Sequence, residues 1–115
     1  MATSKEFMEY IVDQVGRSVG VENISVRKMF GEYALYYLGV TIGLICDNTL
    51  FIKVTDATTA ILGDHETGFP YPGANPWYQL DESDLDNYEL MQKIVNVVYE
   101  ESVTKKKSNK AKKKK

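Results

Sequence analysis

The sequence predicts an α+β domain, in which an antiparallel meander sheet of about four to five strands carries an N-terminal and a C-terminal helix packed on it. Apolar residues recur at helical spacing near both ends, and between them the period changes to two for about thirty residues. Short turn signals divide that central stretch. Because 115 residues suffice for one hydrophobic core, we expect a single domain over 1–104 and a separate tail over 105–115.

The first helix is expected to begin at "TSKE", where Thr3 and Glu6 have the spacing of a capping box. The residues that follow form one apolar stripe on a helix: Phe7, Met8, Ile11, Val12 and Val15. Glycine has a low helix propensity and favours helix ends, so Gly16 and Gly20 are expected to end this helix.

The central stretch predicts four short strands near 24–30, 32–38, 41–46 and 49–54. Their alternation leaves neither face of the sheet polar. If both long helices cover one face, an apolar patch remains on the other, and a homodimer would bury it. That patch would contain Phe51, Ile45 and one set among Tyr33, Tyr36 and Tyr37, namely those that share its face of the sheet. The alternative is one helix on each face, which leaves no patch.

The remaining elements are a short helix, a stiff loop, an edge strand and a final helix. Thr55 or Asp56 is expected to cap the short helix, and Gly63 to end it. Three prolines then define a loop that leads to an edge strand over 77–80. Asp86 and Glu89 have the spacing of a cap for the last helix, whose apolar stripe reaches about position 103.

The charge of the chain is unevenly distributed. The formal net charge is −2, but residues 1–104 contain six basic and sixteen acidic residues, a net charge of −10. That body is expected to repel nucleic acid. The tail is expected to be disordered and to bind nucleic acid at most weakly and without sequence preference, because its charges can contact only phosphates. Its basic residues are Lys105, Lys106, Lys107, Lys110, Lys112, Lys113, Lys114 and Lys115.

Residues that usually carry chemistry are few, and we predict no catalytic residue, cofactor or metal site. His65 is expected in a solvated loop, and Cys46 is expected to be a small buried hydrophobe. An enzyme or small-ligand binder that uses Arg27, His65 or Cys46 remains the less favoured alternative. The sequence contains no signal peptide and no apolar run of membrane-spanning length, so a cytoplasmic location without membrane contact is expected.

The stretch "RKMFGEYALYYLGVTIGLICDNTLFIKV" resembles the TfoX N-terminal domain family, small bacterial domains related to a competence regulator. The resemblance covers about residues 4–103, and Glu32 and Ala34 stand where many members have glycine. Within this stretch, Met29 and Phe30 are expected to fill the core, and Gly31 to permit a bend. The matching residues are Arg27, Lys28, Met29, Phe30, Gly31, Tyr33, Leu35, Gly39, Gly43, Leu44, Asp47, Leu50, Phe51 and Lys53.

The resemblance implies a regulatory domain associated with transcription and DNA uptake, with no established enzymatic activity or cofactor. We therefore expect a non-enzymatic regulatory or adaptor domain that acts through contacts made by the sheet, the loop "PYPGANPWY" or both. The sequence does not name the protein partner. Arg27 and Lys28 form either salt bridges or a contact with an anion or acidic partner. Trp77 either packs under the final helix or belongs to an interface. The candidate contact residues are Arg27, Lys28, Tyr33, Phe51, Trp77 and Tyr78.

Overall fold

The computed structural model describes residues 3–29 and 32–114, with side chains described up to Thr104. It confirms the predicted α+β class, with six antiparallel strands in the order β1-β2-β3-β4-β6-β5. The roles expected for Phe30 and Gly31 fall outside the described residues. The helices are α1 (Lys5–Val19), α2 (Asp56–Leu62), α3 (Glu82–Asp86) and α4 (Tyr88–Lys114); the strands are β1 (Ile24–Met29), β2 (Glu32–Tyr37), β3 (Val40–Cys46), β4 (Thr49–Lys53), β5 (Thr67–Gly68) and β6 (Trp77–Leu80).

The start of α1 differs from the prediction, because its cap is Ser4 and not Thr3. The Ser4 hydroxyl accepts a hydrogen bond from the Phe7 amide at 3.1 Å. Thr3 instead donates through its hydroxyl to the Glu32 carboxylate at 2.6 Å. The helix also continues through Gly16, where an added Cβ would lie 2.9 Å from the Cβ of Val21, so this glycine permits close packing and does not end the helix.

All four helices pack on one face of the sheet. Ile11, Leu62, Leu85 and Ile94 come from the four helices in turn and share a core with one face of the strands. The alternative of one helix on each face is therefore wrong. The strand residues of this core are Leu35, Ile42, Ile45, Leu50, Ile52, Tyr78 and Leu80.

The prediction that Ile45 lies on the open face is wrong, since Ile45 is fully buried in this core. It pairs across the sheet with Tyr33 and Leu50, so all three side chains point to the helices. Tyr37 points the same way and meets Tyr99 of α4 edge-on, with ring centroids 5.5 Å apart. Alternation within one strand predicts which residues share a face, but cross-strand register decides which face that is.

Two glycines of the sheet have distinct roles. Gly39 adopts a φ of +80° in the turn between β2 and β3, a conformation that favours glycine. Gly43 lies where β3 and β4 approach closely, because an added Cβ would be 2.8 Å from the carbonyl oxygen of Phe51. The irregularity in strand pairing falls between Leu35 and Tyr36 of β2, opposite this part of β3.

The later elements follow local capping signals. Thr55 caps α2 and Gly63 ends it, as predicted. The acidic stretch forms α3, and Asn87 accepts from the Leu90 amide at 3.1 Å at the start of α4. The expectation that Asp86 is this cap is wrong, since Asp86 is the last residue of α3.

Helix α4 is continuous to Lys114, and its backbone remains helical where the composition of the tail predicts disorder. Lysine and alanine have high helix propensity, and the preceding turns supply a nucleus, so extending this helix needs no new nucleation step. The domain boundary at residue 104 stays a prediction. No helix in the described part of the chain is both long enough and apolar enough to span a membrane.

Candidate functional site

The open face of the sheet is the face that the helices leave uncovered. Cross-strand register places Arg27, Ala34, Leu44, Phe51 and Gln79 in one row across it, from β1 to β6. None of these five side chains belongs to the core beneath the helices. Nevertheless Ala34 is buried and Phe51 is only 4% exposed. This face is therefore not a bare, flat patch.

The proline-rich segment 69–76 forms one wall of a groove on the open face. It leaves the sheet after β5 and returns at Trp77, the first residue of β6. Pro70 is buried, whereas Phe69 and Tyr71 are 66% and 53% exposed at the rim. The groove has a volume of about 1250 Å³. Its lining residues are Met29, Glu32, Leu44, Cys46, Asp47, Phe69, Pro70, Tyr71, Pro72, Gly73, Ala74 and Trp77.

Glu32 and Asp47 supply the acidic side chains of this largely apolar lining. One Glu32 carboxylate oxygen accepts three hydrogen bonds, from the Thr3 amide at 2.9 Å, the Thr3 hydroxyl at 2.6 Å and the Asp47 amide at 3.2 Å. The Thr3 hydroxyl in turn accepts from the Asn48 amide at 3.2 Å. Glu32 thereby ties the start of the chain to the β3–β4 turn, and its position at one end of the groove is fixed.

Cys46 lies in the groove lining as a buried free thiol, which confirms the interpretation from the sequence. Burial, together with the smaller effect of the nearby Glu32 and Asp47 carboxylates, raises its pKa to about 11. The thiol is therefore protonated at neutral pH. A protonated, buried thiol is a poor nucleophile.

Two of the candidate contact residues are buried, and a third is partly buried beneath the helices. Tyr78 is part of the core, and its hydroxyl donates to the Gly63 carbonyl at 2.6 Å. Tyr33 packs against the core on the helix face, and Phe51 is buried on the open face. Tyr78 and Phe51 therefore offer a partner almost no side-chain surface, whereas Tyr33 keeps part of its surface exposed.

Trp77 is half-buried and lines the groove, and it also borders a smaller pocket beside Val98 of α4. The sequence predicted the loop "PYPGANPWY" as a contact surface, and part of that loop lines the groove, but most of the exposed apolar residues were not named individually. Met29, expected in the core, is 37% exposed there, and Phe69 and Tyr71 were not singled out. The available signal was the alternation of aromatic residues with prolines in "FPYPG".

Arg27 and Lys28 are exposed on β1. Neither forms an ion pair with any side chain that the structure describes. For comparison, Arg17 and Asp13 form an exposed ion pair at 3.0 Å. The salt-bridge explanation for Arg27 and Lys28 is therefore not supported.

His65 is partly buried, which differs from the solvated position that the sequence predicts. Its Nε2 lies 2.8 Å from Asp84 Oδ2, and the same oxygen accepts from the Asp81 amide at 3.0 Å. This contact links the loop after α2 to the start of α3. Within the described residues, no three His, Cys, Asp or Glu side chains are grouped so that they could hold a metal ion.

Fold and groove together define a small α+β domain with an apolar groove on its open sheet face. The family profile of the TfoX N-terminal domain matches residues 18–102. An uncharacterised 12.7 kDa protein from the trpE 5′ region of Spirochaeta aurantia is 40% identical over 82 residues, which cover 71% of this chain and 69% of that protein. This chain belongs to the TfoX N-terminal domain family. The match begins near the end of α1, so it does not include most of the first helix.

Proposed function

We propose that this domain is a small regulatory or adaptor module that binds a segment of another protein in the groove between 69–76 and the open sheet face. The observation that carries this proposal is the concentration of exposed apolar side chains at one groove. Met29, Phe69 and Tyr71 all line it. Family membership supports a regulatory role but supplies no partner.

The size and composition of the groove favour a peptide segment over a small ligand. Its volume of about 1250 Å³ exceeds the range of about 300–1,000 Å³ typical of small-molecule sites. Aromatic side chains on a proline-stiffened segment offer contact area at a low cost in conformational entropy. Two other exposed apolar residues, Val54 and Tyr88, lie outside the groove.

The experiment is selection of random peptides displayed on phage against the immobilised full chain, followed by titration of the enriched peptides in solution. Trp77 is the only tryptophan and lines the groove, so its emission should change when a peptide binds. Tyr71→Ala should weaken binding about tenfold, as expected for removal of an aromatic contact. Tyr88→Ala is the matched control, because Tyr88 is 40% exposed and lies outside the groove.

Peptides whose binding is unaffected by Tyr71→Ala, and which leave Trp77 emission unchanged, would contradict the proposal. A second copy of the chain is the competing occupant, and the homodimer expected from the sequence stays a prediction. Light scattering over a wide range of protein concentrations tests it. A dimer that Tyr71→Ala dissociates while Tyr88→Ala does not would assign the groove to self-association.

A further inference from the structure

Strand β1 forms the long open edge of the sheet. It pairs with β2 on one side, and it is the terminal strand in the order of the six described strands. The opposite edge is β5, which has two residues, whereas β1 has six. An edge strand of this length presents a row of backbone donors and acceptors to which another strand can add.

The direction of the free backbone groups follows from the ladder. The Leu38 amide donates to the Asn23 carbonyl at 2.9 Å, immediately before β1, and the pairing then continues through β1 without a bulge. Hydrogen-bonded and non-hydrogen-bonded pairs alternate along an antiparallel ladder. The backbone groups of Ile24, Val26 and Lys28 therefore point outward, away from β2.

The side chains at the end of this edge carry charge on both faces. Arg27 lies opposite Ala34 and faces the groove side of the sheet, whereas Lys28 lies opposite Tyr33 and faces the helix side. Met29 is again on the groove side and lines the groove.

No described carboxylate near β1 forms an ion pair with Arg27 or Lys28. Glu32, opposite Met29, has one oxygen occupied by three donors. Glu9 and Asp13 of α1 lie near the start of β1, and Asp13 is paired with Arg17. Two adjacent cations thus stand at an open edge of a body whose net charge is −10.

We propose that the β1 edge adds an extended acidic segment of the partner protein as a further strand. Two consecutive acidic residues of that segment contact Arg27 and Lys28, and the apolar residue beside them lies next to Met29 and enters the groove. Consecutive acids are required because successive side chains of a strand point to opposite faces. This inference rests on the proposed function and specifies its partner, through strand addition at a sheet edge.

Charge also argues against the same edge of a second copy as the occupant. Pairing two β1 strands would bring four cations close together, and lysine on edge strands is a common protection against such pairing. An acidic segment replaces that repulsion with attraction. The attraction acts over about 8–10 Å at ordinary ionic strength, so the two local cations outweigh more distant carboxylates of the body.

The first test repeats the peptide selection on the full chain and on the double variant Arg27→Glu, Lys28→Glu. The wild-type chain should enrich peptides with two consecutive acidic residues flanked by an apolar one, and the double variant should bind these at least tenfold more weakly. Lys5→Glu, Lys93→Glu is the matched control, because it makes the same change in net charge at two exposed lysines that are not part of β1. The control should bind the same peptides as the wild-type chain does.

The second test separates charge from backbone pairing. Lys28→Pro and Lys28→Gln both remove the charge, but only proline removes the outward amide of β1, and proline is tolerated on an edge where its nitrogen faces solvent. Lys28→Pro should therefore bind an enriched peptide several-fold more weakly than Lys28→Gln does. Circular dichroism checks that both variants keep the wild-type fold.

The outcomes distinguish this inference from the function on which it rests. If Tyr71→Ala weakens the enriched peptides while charge reversal on β1 or Lys28→Pro does not, the β1 inference fails and the groove remains a protein-binding site. If the selection enriches no peptide that Tyr71→Ala weakens, the proposed function fails and the inference fails with it. A dimer that Lys28→Pro dissociates would assign the edge to a second copy and overturn the inference.

Discussion

Replacing Phe51 by alanine tests whether the open face is packed as the structure has it. Phe51 is 4% exposed, although it lies on the face opposite the helices. Truncating a buried phenylalanine to alanine costs about 3–5 kcal/mol. A 115-residue domain has a free energy of unfolding of about 6–17 kcal/mol, so the variant should fold and be clearly destabilised.

The assay is unfolding by heat and by urea, followed by circular dichroism. For a domain of this size, 1 kcal/mol corresponds to about 4 °C in Tm, so Phe51→Ala should lower Tm by about 12–20 °C. Leu50→Ala, one residue earlier on the helix face, should cost about 2–5 kcal/mol. Val54→Ala is the exposed control and should change stability by no more than about 0.5 kcal/mol.

A loss at Phe51→Ala of less than about 1 kcal/mol, close to that of Val54→Ala, would refute the reasoning. It would mean that Phe51 is accessible in solution and that the open face is less closely packed than in the structure. Phe51 would then return to the contact residues expected from the sequence. Unchanged stability together with lost peptide binding would be the clearest form of this result.

Three further predictions concern the thiol, the core tyrosine and the tail. Alkylation of Cys46 by iodoacetamide should rise about tenfold per pH unit up to about pH 11, because its raised pKa keeps it protonated; a plateau near pH 9 would contradict this. Tyr78→Phe should cost about 0.5–1.5 kcal/mol by removing the hydrogen bond to the Gly63 carbonyl, and an unchanged Tm would show that water replaces the bond. A chain ending at Thr104 should lose any binding of labelled duplex DNA seen for the full chain in fluorescence anisotropy; salt-resistant binding by the shorter chain would contradict the charge argument.

Local signals predicted most of the secondary structure. The strand at 77–80 and the helix from Thr55 to Gly63 were predicted at their observed positions, because a proline-rich boundary and a cap with a terminal glycine are encoded in adjacent residues. The cap of α1 was not, since Thr3 and Ser4 are chemically equivalent candidates. The choice between them depends on Glu32 and Asn48, which are distant in sequence. Tertiary contacts of this kind are invisible to a local pattern.

The groove was only partly predictable from the apolar pattern on the two faces of the sheet. The pattern indicates a second apolar face. It does not show that Phe51 and Ala34 on this face are buried, or that 69–76 forms one wall of a groove lined also by Leu44 and Cys46. A flat patch favours self-association through a two-fold axis, whereas a groove beside an open strand edge accommodates an extended segment. The same folding of 69–76 therefore weakens the case for a homodimer through this face. Met29 belongs both to the cationic edge strand β1 and to the groove lining, so the proposed segment can contact both.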